Sequence, residues 1–316
     1  ALGWLTWQRS RFRAGLLAAA YFVALLFPVL GFFDIYFFRY SFVGDHFQYL
    51  ASMGPLTAVA VGLARVAPRA LPLAGGLGGL ALAVLTARHA TDFTNSESLW
   101  RATVARNPQS AMAWAQLGAV HGRAARPAEA ITCFQRALQI NPRHPEALNH
   151  LGCEYLRTGR TDDAIAELRR AIDARPGFAE AQCNLGAALL QAGRAAEALL
   201  PLETAQRTRP DAAEPRHQMG RALQVLGRID DAIAQYEHAL RLDPGRAQAH
   251  DDLGLAFAAA RRFDDALAAH RQAIRFQPGL ASAYNHLGVT LAQTGRLPDA
   301  LAQFDEAVRR EPGFGD

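Results

Sequence analysis

Polar and apolar positions are arranged in two different ways along this chain. Over residues 1–90 the apolar positions run together. Residues 14–33, AGLLAAAYFVALLFPVLGFF, are twenty residues without a charge, and 47–64 and 71–87 are two further uncharged runs with arginines only at their edges. From residue 111 onward the pattern breaks into a unit of 34 residues, in which glycine, alanine and proline return at fixed places. The first arrangement predicts helices that are apolar all round; the second predicts a stack of similar units.

A run of about twenty residues, rising about 1.5 Å each as a helix, is long enough to cross the hydrocarbon core of a bilayer. Pro28 would kink the first run, which membrane helices tolerate. An arginine at mid-span costs about 2.5–3.5 kcal/mol on insertion scales, so Arg65 and Arg69, between the second and third runs, belong at an interface. The same runs would also suit a buried soluble hairpin, and that alternative stays open. Arg9, Arg11 and Arg13 precede the first run and lie on the same side as Arg65 and Arg69. The excess of positive charge makes that side cytoplasmic. Arg39 and Arg88 fall on the other side, together with the 34–46 loop and everything after residue 87. Residues 1–7, with Trp4 and Trp7, read as the tail of an earlier span. Gly75 and Gly79 form a GxxxG pair that permits close helix approach. The chain opens on Ala1 with no charged segment ahead of a cleavage site, so the expectation is a piece of a longer, integral membrane protein in contact with membrane lipid.

In the second part Leu-Gly or Met-Gly recurs at 117–118, 151–152, 185–186, 219–220, 253–254 and 287–288, always 34 residues apart. Proline recurs at 108, 142, 176, 210, 244, 278 and 312. Alanine recurs at 130, 164, 198, 232, 266 and 300, and again at 137, 171, 205, 239, 273 and 307. Such a period is the mark of a repeat architecture. With Trp114, Leu117, Gly118, Ala130, Phe134, Ala137 and Pro142, the first unit is identified as a tetratricopeptide repeat. The resemblance implies an all-α chain: transmembrane helices followed by a right-handed superhelix, an α-solenoid of paired antiparallel helices. The repeats fall at 111–144, 145–178, 179–212, 213–246, 247–280 and 281–314. Glycine and the alanines mark places where helices cross closely, the TGR, AGR and LGR triplets end the first helix, and proline ends the second. Residues 91–110 are expected to be a linker helix, half of a degenerate repeat, with Trp100 at its large aromatic position. At the far end, the face carrying Ala300, Phe304 and Ala307 is expected to meet either a missing cap or a partner.

Charge sharpens this division. All 33 basic residues are arginine. Residues 1–110 hold nine of them against four acids, a net of +5, whereas 111–316 hold 24 against 25, a net of −1. The repeats mix their signs, so no basic face is expected and no nucleic-acid partner. Cys133, Cys153 and Cys183 lack CxxC spacing and read as small buried side chains.

First helices of such repeats line the concave side, so repeat positions 5 and 6 supply the candidate binding residues. Position 6 reads Gln116, His150, Asn184, Gln218, Asp252 and His286; position 5 reads Ala115, Asn149, Cys183, His217, Asp251 and Asn285. Asn149, His150, Asn184, His217, Gln218, Asp251, Asp252, Asn285 and His286 are therefore candidates for holding a peptide or protein, since an amide pairs with both donor and acceptor of a backbone. Asn149 and Asn184 in particular are expected to take part in peptide capture. The column resembles the asparagine ladder of O-linked N-acetylglucosamine transferases, although Asn184 alone keeps that residue. A solvated polar face is the competing reading. The lysine–asparagine clamp of chaperone-binding repeats is absent: position 9 reads Ala119, Cys153, Ala187, Arg221, Leu255 and Val289. His150, His217 and His286 lie on separate repeats, so no metal is expected. No nucleophile–base pair, phosphate loop or carboxylate dyad stands out, so no catalytic residue and no cofactor is expected in this chain.

One segment between the apolar runs carries charge among aromatics, RYSFVGDHFQYLASMGP from 39 to 55. Its plain reading is an interfacial loop. FVGDHFQYLASMG also resembles the (D/E)-R-Y-x-Y-x-P-S-x-G segment of multi-spanning glycosyltransferases that use polyprenyl-phosphate sugars. His46 stands where arginine is usual and Ala51 where proline is usual. In the transmembrane and tetratricopeptide-repeat O-mannosyltransferases that segment precedes the last spans, and a repeat domain follows on the non-cytoplasmic side. The resemblance implies a loop motif of Arg39, Asp45, His46 and Tyr49 with a structural or donor-site role. It also implies a polyprenyl-phosphate sugar donor for the full-length parent. The leading expectation is a membrane-anchored repeat domain that binds polypeptide, as the C-terminal part of a glycosyltransferase-like protein. A non-enzymatic membrane-anchored scaffold and a remnant of an N-acetylglucosamine transferase-like protein are the alternatives.

Overall fold

The structure, a computed structural model, describes residues 95–311. Among the described residues there are thirteen helices and no strand. Helix α1 (Ser96–Arg106) precedes six helix pairs. These are α2 (Ala111–Arg123) with α3 (Pro127–Ile140), α4 (Pro145–Arg157) with α5 (Thr161–Ala174), and α6 (Ala179–Gln191) with α7 (Ala195–Thr208). Next come α8 (Ala213–Val225) with α9 (Ile229–Leu242), α10 (Ala247–Ala259) with α11 (Phe263–Phe276), and α12 (Ala281–Gln293) with α13 (Leu297–Arg310). No described helix is long and apolar enough to cross a membrane. The expected spans 14–33, 47–64 and 71–87 lie outside the described residues, as does the loop with Arg39, Asp45, His46 and Tyr49.

The turn between the two helices of a pair is set by one backbone conformation. Gly159, Gly193, Gly227 and Gly295 have φ between +72° and +78°, and the equivalent residues Ala125 and Arg261 have φ of 55° and 59°. The residue after each donates its N–H back to a carbonyl five residues earlier, for example Arg160 N to Tyr155 O at 2.8 Å and Arg228 N to Leu223 O at 2.9 Å. This is the left-handed closure that satisfies carbonyls at a helix end. Glycine takes this conformation freely, whereas a side chain there costs about 1–2 kcal/mol, so the first and fifth repeats hold the turn against a local penalty. In all six repeats the arginine that follows pairs with an acid three residues on, in the first turn of the second helix, beginning with Arg126–Glu129 at 3.1 Å. Arg160–Asp163 at 2.7 Å, Arg194–Glu197 at 2.6 Å, Arg228–Asp231 at 2.6 Å, Arg262–Asp265 at 2.8 Å and Arg296–Asp299 at 2.6 Å repeat the pattern. Each of the latter five is exposed and worth only about 0.3–0.5 kcal/mol; the acid also meets the positive end of its helix.

Within each pair the helices cross where the first has no Cβ. A Cβ built on Gly118 would lie 2.7 Å from the Phe134 ring, one on Gly220 would lie 2.5 Å from Tyr236, and one on Gly288 would lie 2.6 Å from Phe304. Gly152 and Gly186 face Leu168 and Leu202 in the same way, and Gly254 faces His270. The two alanine columns are almost wholly buried, as expected where a larger side chain would overpack.

Each helix packs on the next along the chain, and first helices of successive repeats also touch one another, α2 on α4, α4 on α6, and so on to α12. No comparable packing joins second helices of successive repeats. The stack therefore bends with first helices on the inner side. At the start, α1 is capped by Asn95, which exchanges hydrogen bonds with Ser98, and Trp100 packs with Val104, Ala113, Leu117 and Cys133. At the other end the expectation is corrected: Ala300 and Ala307 are buried, and Phe304 packs on the cluster of Leu267, Leu287 and Leu291. The exposed apolar side chains of α13 are instead Leu297, Leu301 and Val308.

Gly220→Ala should destabilise the repeat domain by about 1–3 kcal/mol, because the Tyr236 ring must give way. Gly177→Ala, with open space around it and no left-handed φ, should be neutral or slightly stabilising. Chemical denaturation of the two variants checks this; equal effects would mean that the close helix crossing does not hold the pair together.

Candidate functional site

The polar side chains at repeat positions 5 and 6 pair mostly with one another. Position 5 of one repeat bonds position 6 of the next, 35 residues on. The Asn184 amide donates to Asn149 Oδ1 at 2.9 Å, His217 Nε2 lies 2.7 Å from Asp252 Oδ2, and His286 Nδ1 lies 3.1 and 3.0 Å from the two oxygens of Asp251. Position 2 adds further bonds: Asn149 donates to Glu180 at 3.0 Å and Ser282 donates to Asp251 at 3.1 Å. These rungs follow from helix geometry. Stacking first helix on first helix brings the end of one position-5 side chain beside position 6 of its neighbour. A buried polar group there needs a partner, because leaving it unpaired costs about 1–3 kcal/mol.

The rungs sort the candidate residues. Asn149 and Asp251 are fully buried and His217 nearly so; each bonds a side chain of the next repeat, Asp251 also bonds His270 of its own, and His217 Nδ1 is buried without a partner. Gln218 is also buried. It donates to Glu214 at 2.6 Å and accepts from Arg221 at 3.1 Å, while Glu214 is paired with Arg246. Asn149, His217, Gln218 and Asp251 are thus buried and bonded between repeats, within the fifth repeat or within a first helix. His150, Asn184, Asp252, Asn285 and His286 remain partly exposed. The Asn184 amide also reaches Cys153 Sγ at 3.2 Å. The Asn184 amide nitrogen is thus held by two partners, and no hydrogen bond to its carbonyl oxygen is seen among the described residues. His150 stacks on Phe134 with ring centroids 5.6 Å apart, and burial lowers its affinity for a proton.

Burial holds the three thiols toward their protonated form. Burial pushes Cys153 and Cys183 up to about 12 and raises Cys133 as well. Cys133 and Cys183 are buried as expected, but Cys153 is only half-buried.

The densest polar cluster joins the fifth and sixth repeats. Asp251 takes hydrogen bonds from His270 Nδ1 at 2.8 Å, from His286 and from Ser282. Burial alone would raise the Asp251 carboxyl; the bonds from the two imidazoles and their charge outweigh it and bring it down to about 2. Burial acts to lower His286, but the bond and charge of Asp251 win and raise it. Sequence reasoning misses His270. The signal lies in its column: the equivalent large residue is Phe134, Leu168, Leu202, Tyr236 and Phe304 in the other repeats, so an imidazole stands where apolar bulk is the rule. The complementary pairs 35 residues apart, asparagine with asparagine and aspartate with histidine, are also legible once position 5 is read against position 6 of the next repeat.

A tetratricopeptide repeat profile matches residues 149–213, 217–281 and 252–313, and a second profile of the same repeat matches 109–177. The chain belongs to the tetratricopeptide repeat family. No curated protein matches it. Among solved structures, the tetratricopeptide repeat protein TTC0263 of Thermus thermophilus is 25% identical with a TM-score of 0.50, the match covering 58% of this chain and 99% of that one. A tetratricopeptide repeat protein of Parabacteroides merdae is 16% identical with a TM-score of 0.59, covering 72% and 90%. A chain of the APC/C hetero-tetramer Cut9–Hcn1 is 19% identical with a TM-score of 0.64, covering 81% of this chain and 49% of that one, so the match spans about half of its length. The last two share the fold alone.

In this tetratricopeptide repeat stack, Asn149→Ala should cost about 1–3 kcal/mol of stability, because it removes two hydrogen bonds, to Asn184 and Glu180, and empties a fully buried place. Asn184→Ala should cost less, since water reaches its half-exposed place. Urea denaturation of both variants checks the order; a larger loss for Asn184→Ala would contradict the assignment of Asn149 as the buried member of the rung.

Proposed function

We propose that the six repeats form a binding module for an extended polypeptide, held along the inner side of the stack. The observation that carries this is Asn184. Its amide is held by Asn149 and Cys153, which orients the carbonyl of this partly exposed side chain to accept an N–H from a bound backbone. A pre-positioned acceptor loses little freedom on binding, and that favours affinity. His150, Asp252, Asn285 and His286 supply further partly exposed polar atoms along the same first-helix face. The tetratricopeptide repeat family, whose members bind peptide or protein partners, supports the same class of ligand. The alternative of a solvated polar face with no ligand predicts no effect of Asn184 on any partner.

The wider setting is read from residues 1–90. The uncharged runs at 14–33, 47–64 and 71–87 support an integral membrane protein whose repeat module lies on the non-cytoplasmic side, since Arg9, Arg11, Arg13, Arg65 and Arg69 outnumber Arg39 and Arg88. The resemblance around Asp45, His46 and Tyr49 supports a glycosyltransferase-like parent that uses a polyprenyl-phosphate sugar, with the repeats presenting polypeptide to it. A membrane-anchored scaffold without that chemistry is the second reading; the departures from the family pattern at His46 and Ala51 favour it.

Unstructured peptides recovered on the full chain should lose about 2–13-fold in affinity with Asn184→Ala, the worth of roughly one hydrogen bond. Unchanged Kd values across such peptides would reject the groove. A reporter enzyme fused after residue 316 should be active outside the cytoplasm; cytoplasmic activity would overturn the membrane topology.

A further inference from the structure

Three side chains capable of holding a metal ion converge between the fifth and sixth repeats, each from a different helix: Asp251 from α10, His270 from α11 and His286 from α12. One ligand atom from each lies within 4.8 Å of the other two. His270 Nδ1 is 2.8 Å from Asp251 Oδ1, and His286 Nδ1 is 3.1 Å from the same oxygen. Nitrogen and oxygen ligands bind zinc at about 2.0–2.2 Å, so neighbouring ligands around one ion stand about 3.3 Å apart. The two Asp251 contacts are already near that spacing, and drawing the two imidazoles together around one ion would need a further closure of at most about 1.5 Å. Asp251 and His270 are fully buried, while the His286 side chain is 27% exposed, so the cluster has a closed floor and one side open to solvent.

The placement goes against the rest of the stack. No other repeat has an acid at position 5, and the column of His270 is otherwise filled by phenylalanine, leucine and tyrosine. A buried carboxylate and a buried imidazole are both costly in a core, and here two such departures meet at one point. We propose that Asp251, His270 and His286 form a site for a divalent transition-metal ion, zinc foremost. Two imidazole nitrogens and one carboxylate oxygen suit zinc, nickel or cobalt, and are poor ligands for magnesium or calcium, which take oxygen. The fourth position faces the open side beside His286 and is taken by water. Because the ligands come from both helices of the fifth repeat and from the first helix of the sixth, the ion ties the two repeats together. The competing account is a purely hydrogen-bonded cluster, in which Asp251 accepts from both imidazoles and from Ser282 and binds no ion.

The test uses the untagged full chain in metal-free, detergent-containing buffer, titrated with Co²⁺ and with Zn²⁺. One Co²⁺ per chain should give the intense visible bands of four-coordinate cobalt, and Zn²⁺ should displace it. Zn²⁺ at about 100 times its Kd should raise the melting temperature of the repeat domain by roughly 5–10 °C. His286→Gln and, separately, Asp251→Asn should each abolish the cobalt bands and the Zn²⁺-dependent rise, while His238→Gln, outside the cluster, should keep both. Absence of four-coordinate cobalt bands in the unaltered chain, or an equal Zn²⁺ response in His286→Gln, would overturn the proposal and leave the hydrogen-bonded cluster.

Discussion

The crossing of the two helices in each repeat depends on an atom that glycine lacks. At 118, 152, 186, 220, 254 and 288 a Cβ would strike the large side chain of the second helix. Its absence lets the helices approach until the alanines behind them are buried. Dispersion and apolar burial scale with such close contact, so this one constraint fixes the distance and angle within the pair. Everything stacked on it inherits that geometry six times. A repeat of this kind exposes an apolar face by itself and is stable only against neighbours.

Polar rungs tie the repeats to one another on the inner side. They are not equivalent. Asn149 with Asn184 is a neutral amide pair; His217 with Asp252 is one imidazole on one carboxylate; Asp251 gathers two imidazoles and a hydroxyl. The stack thus changes chemistry from its middle toward its end while the backbone stays regular. A ligand lying along it would meet amide character near Asn184 and ionisable groups near Asp252 and His286, and that gradient gives an extended chain a direction in which to lie.

The rungs are engaged in holding helices together, and burial pushes the thiols of Cys153 and Cys183 up to about 12. What the inner side offers is fixed hydrogen-bonding atoms on rigid helices, the property a recognition surface needs.

The sequence by itself determined the repeat. Its 34-residue period, the Leu-Gly and alanine columns, the glycine turn and the closing proline are local or strictly periodic requirements, so they are visible in one dimension. It also marked Trp100 as part of a preceding helix. Which polar residues face a ligand and which hold the stack was decided by tertiary structure alone. Asn149 and Asn184 look interchangeable in the sequence, but one is sealed beneath the next repeat and the other sits at its rim, because burial depends on how helices 35 residues apart come together. His270 reads as one more residue in a large apolar column until packing brings it against Asp251. The faces of α13 make the same point: Ala300, Phe304 and Ala307 pack inward against α12 and its neighbours, and only the folded pair shows that Leu297, Leu301 and Val308 are the side chains left in water.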